Sequence, residues 1–210
     1  MNFQHEFMTL MNSGGPVMWV IFFVACIALT LVAWEAIRGQ ALLKNTRCDY
    51  RKLEKNRHYL PSVNSSVSPV AQLLAATNWP EVQSRDDMAR EFNIHLPEIT
   101  SRMEGTLATI AILASLLPML GLLGTVTGMI NVFEVIALHG SGKPDEMADG
   151  ISQALLTTAS GLVIAIPVIF LHHLLSKRTN TLMTTVHQAI QLILHRDVNA
   201  LKRVYDDANG

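Results

Sequence analysis

The chain has 210 residues, half of them hydrophobic, 16% charged, and a mean hydropathy of +0.29. Soluble domains carry about 25% charged residues, so this balance argues against a globular enzyme and for a small integral membrane protein. The net charge of −1 says little, because the distribution of charge along the chain carries the information.

The first apolar run, Val17 to Ala33, opens after Pro16 and is flanked by Trp19 and Trp34. It is about the minimum length that crosses a bilayer, with aromatic residues near both interfaces. The leader before it has no Lys or Arg and no small-residue cleavage site follows, so a signal peptide is not expected. Cys26 within the run reads as a small packed hydrophobe. Cys48 lies in a charged stretch, and neither cysteine has an evident partner, so both are expected as free thiols.

Residues 36–58 hold seven Lys or Arg against two acids and read as a basic helix continuing the first span, with anionic lipid head groups or an acidic partner as candidate attractions. PSVNSSVSP, Pro61 to Pro69, reads as a linker. A short helix, VAQLLAATNW, should follow and close at Pro80. Ser84 with Asp87 three residues on resembles a capping-box start. The helix it opens is expected to be kinked or interrupted at Pro97 and to resume into a second span. Beyond the third span, Leu182, Val186, Ile190, Ile193 and Leu194 recur at helical spacing. That predicts an amphipathic helix over Ser176 to Tyr205, packing on its neighbours.

The basic residues give an orientation. Of the 16 Lys and Arg, the leader has none, Glu35 to Thr106 has ten, the connection between spans two and three has only Lys143, and the tail has five. Positive charge stays on the cytoplasmic side. The expected architecture is therefore all-α and integral to the membrane, with the N-terminus periplasmic and three transmembrane helices extended into a cytoplasmic helical bundle. Its parts are a periplasmic segment 1–15, transmembrane helix 16–35, cytoplasmic region 36–106, transmembrane helix 107–138, periplasmic loop 139–149, transmembrane helix 150–175 and cytoplasmic helix 176–210.

The polar content of the spans is selective. Gly105 to Phe133 and Gly150 to Ser176 contain no Asp, Glu, Lys or Arg. On a wheel of about 100° per residue centred on Thr125, Pro118 falls at about +20°, Val132 at about −20°, Gly121 at about −40° and Gly128 at about −60°. Centred on Thr158, Ile151 falls at about +20°, Ala165 at about −20°, Ala154 and His172 at about −40° and Gly161 at about −60°. Gly124 and Gly128 form a GxxxG pair, and Pro167 is counted with the second stripe. Two readings fit these stripes: close helix packing through small residues, or a narrow polar lumen with Thr125 and Thr158 in its wall. Proton conduction needs a titratable group or a water chain near mid-depth, so any essential carboxylate must come from another chain. No catalytic group, metal or cofactor is expected. Ser160–Gly161 with His172 or His173 lacks the first glycine of a GxSG turn, and adjacent histidines diverge on a helix.

LLPMLGLLGTVTGMINVF followed by GISQALLTTASGLVIAIP resembles the paired signature of the ExbB/TolQ/MotA proton-channel family. Three spans rather than four favour the ExbB or TolQ branch, with ExbB preferred. The resemblance implies an inner-membrane homopentamer of a Gram-negative bacterium, enclosing the single-span helices of an ExbD-like or TolR-like partner that carries a transmembrane aspartate. It further implies energising of a TonB-like protein by the proton motive force, and by motif position it makes Thr125 and Thr158 pore-lining. Gln153 stands where the family motif has a glutamate, and at about 140° from Thr158 it reads as an interfacial hydrogen-bonder rather than a proton relay. The rivals are a TolQ-like subunit of the Tol-Pal system and a non-conducting membrane scaffold.

Overall fold

A computed structural model describes residues 3–56, 59–61, 68–140 and 142–209. Among these, helix is the only regular structure: α1 Phe3–Ser13, α2 Gly15–Lys55, α3 Pro69–Ala76, α4 Arg85–His139, α5 Pro144–Leu194 and α6 Val198–Asn209. Three of them, α2, α4 and α5, are long and apolar enough to cross a membrane. The linker expected at 61–69 lies mostly outside the described residues, and Pro69 is already the first residue of α3.

Local chemistry explains most boundaries. The Ser84 amide donates to the Asp87 carboxylate at 2.9 Å, and the Ser84 hydroxyl accepts from the Asp87 amide at 3.1 Å, closing the expected capping box. The Ser84 hydroxyl and amide hold the Asp87 carboxyl below the usual carboxylate range. Gly140, at φ +61°, ends α4 in the left-handed conformation glycine tolerates, its amide donating to Ile136 O at 2.8 Å. Pro144 then opens α5 at a position where a missing N–H costs nothing, with Asp145 and Glu146 in the first turn. Helix therefore begins six residues before the expected start of span three, inside the segment read as loop 139–149.

Pro97 does not interrupt α4, contrary to the expectation from its missing donor. The lost bond falls on an exposed face, where Pro97 and Asn93, the residue whose carbonyl it leaves free, both meet solvent. Within the leader, for which no element was expected, α1 precedes α2, with Gly15 at φ +65° at the turn between them.

The chain divides into two units. One comprises residues 34–107 and 174–210. Its core gathers Leu53 of α2, Val70, Leu73 and Leu74 of α3, Trp79, Met88 and Phe92 of α4, Ile190 and Ile193 of α5 and Leu201 of α6. Each such side chain contributes about 1.5–3 kcal/mol relative to exposure. The apolar pattern expected after span three is buried at Leu182, Val186, Ile190 and Ile193, with Leu194 half-buried. The single helix expected there is instead two, broken at His195 to Asp197. The Arg196 guanidinium donates to Tyr59 O at 2.7 Å, to Asn56 O at 3.1 Å and to Leu53 O, serving carbonyls at the C-terminal end of α2. Asp197 restarts the helix by accepting from the Asn199 amide at 3.0 Å. The Tyr205 ring of α6 stacks on Trp79 with centroids 4.8 Å apart.

The other unit comprises residues up to Ala33 and 108–173. Val17, Ile21 and Ala25 of α2 meet Leu117 of α4 and Ala165 of α5 in its core. Its outer surface is apolar as well: Phe23, Leu123, Val163 and Phe170 are exposed. A contiguous apolar exterior is what hydrocarbon, not water, would solvate.

Candidate functional site

In the unit that contains residues 108–173, α4 and α5 run antiparallel and meet through small residues. An added Cβ at Gly161 would lie 2.7 Å from Leu117 O and 3.2 Å from Gly121 Cα, and one at Gly121 would lie 3.1 Å from Thr158 Cα. At the other end, a Cβ at Gly128 would lie 2.8 Å from the Ala154 Cβ and 2.9 Å from Gly150 O, and one at Gly150 2.6 Å from the Val132 side chain. Between them Gly124 faces the Thr157 side chain so closely that no methyl fits. Backbone therefore touches backbone along the seam, the packing that small residues allow in membranes.

The seam is turned from where the threonine-centred wheels put it. On α5 it is formed by Gly150, Ala154, Thr157 and Gly161, whose mean direction lies about 60–70° round from Thr158. On α4 it is formed by Gly121, Gly124, Gly128 and Val132, again with Thr125 offset to the same side. Thr157 is fully buried, and its hydroxyl donates to Ala154 O at 2.9 Å. The wheel centred on Thr158 passed over it. Its spacing of three and four from Ala154 and Gly161 was the available signal.

Thr125 and Thr158 thus flank the seam rather than fill it, and both are partly exposed. The same offset on two antiparallel helices brings both threonines to one edge of the pair. The Thr158 hydroxyl crosses to α4 and donates to Gly121 O at 2.9 Å, whereas the Thr125 hydroxyl donates within its own helix to Leu122 O at 2.6 Å. Ile151, Leu155 and Leu162 around this edge are exposed. Pro118 lies on the same side of α4 and is half-buried. Pro167 does not join the stripe: it is exposed and half a turn from Thr158.

The opposite edge is the one α2 covers. There Gln153 accepts from Asn131 Nδ2 and donates to Gly14 O, each at 3.5 Å, so it bridges α4, α5 and the turn before α2. Its amide lies against Gly15, where a side chain would collide with it. Val24, Leu120 and Ile164 pack on this side with the core residues of α2. Among the described residues, the edge bearing Thr125 and Thr158 has exposed Ile151, Leu155 and Leu162 beside it, in contrast to the side on which Leu120 and Ile164 pack with α2.

Among the described residues, no three His, Cys, Asp or Glu side chains gather as a metal site. Ser160 and His172 are twelve residues apart on one helix, about 18 Å along its axis, too far to act as nucleophile and base.

A family model described as "MotA/TolQ/ExbB proton channel family" matches residues 63–188. Biopolymer transport protein exbB1 of Vibrio cholerae is 28% identical over 198 residues, covering 88% of this chain and 85% of that protein. Biopolymer transport protein ExbB of Neisseria gonorrhoeae is 26% identical, covering 82% of each chain. Tol-Pal system protein TolQ of Pseudomonas aeruginosa is 32% identical over 117 residues, covering 54% of this chain and 51% of that protein. With three helices able to span a membrane and a family model over more than half its length, the chain belongs to the MotA/TolQ/ExbB proton channel family, whose members are channel subunits and not enzymes.

Proposed function

We propose that this chain is an ExbB-like subunit of an inner-membrane, proton-driven complex, with its N-terminus periplasmic and its basic segments cytoplasmic. Five copies would form a ring around the single-span helices of an ExbD-like partner. The partner supplies the titratable carboxylate, and the ring converts its protonation into work on a TonB-like protein. The observation that carries this reading is the open edge of the α4–α5 pair. Thr125 and Thr158 lie together on the side away from the α2 contacts, on two spans without an Asp, Glu, Lys or Arg between Gly105 and Phe133 or Gly150 and Ser176. Such an edge suits a surface that meets a partner carrying the acid. The placement of Gln153 in a bridge on the opposite edge agrees with a packing role and not with a proton relay. Similarity to TolQ keeps a TolQ-like subunit as the second reading, with a TolR-like partner.

Thr125→Val is the discriminating substitution. It is nearly isosteric, and the hydroxyl it removes bonds only a carbonyl of its own helix, so helix packing should survive. Thr158→Val is the less direct test, because it also removes the bond to Gly121. The chain and its partner are co-expressed in cells lacking the native pair, and TonB-dependent uptake is measured alongside the mass of the purified complex. Loss of uptake with an intact complex supports the reading. Full uptake by Thr125→Val removes Thr125 from the proton path.

A further inference from the structure

The second unit contains a feature that conduction does not use. A groove of about 930 Å³ runs along α2 from Gly39 to Lys55. Its lining carries six cationic side chains, Lys44, Arg47, Arg51, Lys52 and Lys55 of α2 and Arg178 of α5, and no carboxylate. Among the described residues none of the six is in an ion pair, and Lys52 rests over the Tyr59 ring at 5.3 Å. Asp49, on the same stretch of α2, is buried, with its carboxylate accepting from the Tyr59 hydroxyl at 3.1 Å. Six neighbouring cations on one concave wall repel one another unless an anion joins them.

We propose that this groove is the docking site for an extended, acidic polypeptide segment of a partner protein. The dimensions favour a polypeptide over a lipid head group. Gly39 to Lys55 spans about 24 Å of helix, the length of about seven residues of extended chain. Arg47, Arg51, Lys52 and Lys55 lie 14–22 residues beyond Ala33, where the first apolar run ends, or about 21–33 Å along the helix. The head-group layer is only about 5–7 Å thick on each side of a bilayer, and even Lys44, the first groove cation on α2, lies 11 residues or about 16 Å beyond Ala33, so a lipid head group misses all five cations of α2. A strand of acidic side chains reaches them all, and the Tyr59 ring and the Leu43 side chain give its apolar residues a surface. The groove is independent of the threonine edge, so this reading goes beyond the channel assignment.

The test uses the full chain in its native oligomer, held in phosphatidylcholine nanodiscs, and a fluorescein-labelled ten-residue peptide of alternating glutamate and alanine. The peptide should bind, weaken at least tenfold between 50 and 500 mM salt, and weaken at least tenfold in Arg47→Gln/Arg51→Gln/Lys55→Gln. Arg85→Gln/Arg90→Gln/Arg203→Gln removes the same charge from exposed positions elsewhere and should change binding less than twofold. The native thiols provide a readout without substitution. Cys48 lines the groove, so saturating peptide should slow its alkylation at least threefold, while Cys26 stays unaffected. Equal weakening in both triple variants, or unchanged alkylation of Cys48, overturns the proposal. So does retention of phosphatidylglycerol by the native chain but not by the groove variant, which would assign the groove to lipid. Protection of Cys48 by assembly alone would assign it to a second copy of this chain and equally overturn it.

Discussion

Exchanging the sizes of two residues across the seam should show whether α4 and α5 are held at the observed distance by their small residues. Gly124 faces the Thr157 side chain, and a methyl at Gly124 would overlap the Cβ, Oγ1 and Cγ2 of Thr157. Thr157 is fully buried, so it has no room to retreat, and Gly124→Ala must push the helices apart. Overpacking of this kind costs about 1–3 kcal/mol, against a gain of up to about 1 kcal/mol in helix propensity. Thr157→Gly alone removes three buried side-chain atoms and should cost about 2 kcal/mol. Together, the two substitutions move the bulk from one helix to the other, and the obstructing atoms are gone. The double variant should therefore be about 1–2 kcal/mol more stable than the sum of the single changes, a coupling typical of contacting residues. Reversible unfolding in mixed micelles, followed by helicity, measures all four states of the cycle. Gly105→Ala, where an added Cβ meets nothing within 4 Å, supplies the baseline for alanine alone. A coupling within about 0.5 kcal/mol of zero would refute the packing argument.

Two further outcomes follow from the unit containing residues 34–107 and 174–210. Arg196→Gln should cost about 2 kcal/mol by releasing the carbonyls of Leu53, Asn56 and Tyr59, and amide exchange should rise first around the α2 C-terminus. Uniform exchange across the unit would contradict that. Tyr59 should ionise at about 12, its phenol held neutral first by burial and then by the Asp49 carboxylate. Because the folded value lies above the usual 10, the stabilisation is complete below pH 10 and is lost as pH rises from about 10 to 12. Ultraviolet titration should show a late tyrosine component that disappears in Tyr59→Phe and moves down in Asp49→Asn.

The parts of the fold written locally were readable from the residues. Three apolar runs gave the spanning helices, the Ser84–Asp87 spacing gave the start of α4, and Leu182, Val186, Ile190 and Ile193 gave a buried face. Features that depend on a neighbour were not readable. Of the kink or interruption expected at Pro97, the interruption did not occur, because the carbonyl that the proline leaves free has solvent at hand. The break at His195 to Asp197 depends on carbonyls more than 130 residues away, which no local pattern records. A helical wheel finds the stripe of small residues but not its true centre. Only the opposing helix decides that Thr157 goes inward and Thr158 to the edge.

The hydroxyls on that edge have already committed their hydrogens to backbone carbonyls. Thr125 donates to Leu122 O and Thr158 to Gly121 O, so each oxygen turns only lone pairs outward. At these two positions the edge offers acceptors and no donors. A protonated carboxyl group moving along it finds somewhere to place its hydrogen, while a bare carboxylate finds nothing to accept. On the proposed function, two neutral side chains would thereby tell the partner's acid from its conjugate base, without any charge of their own in the membrane.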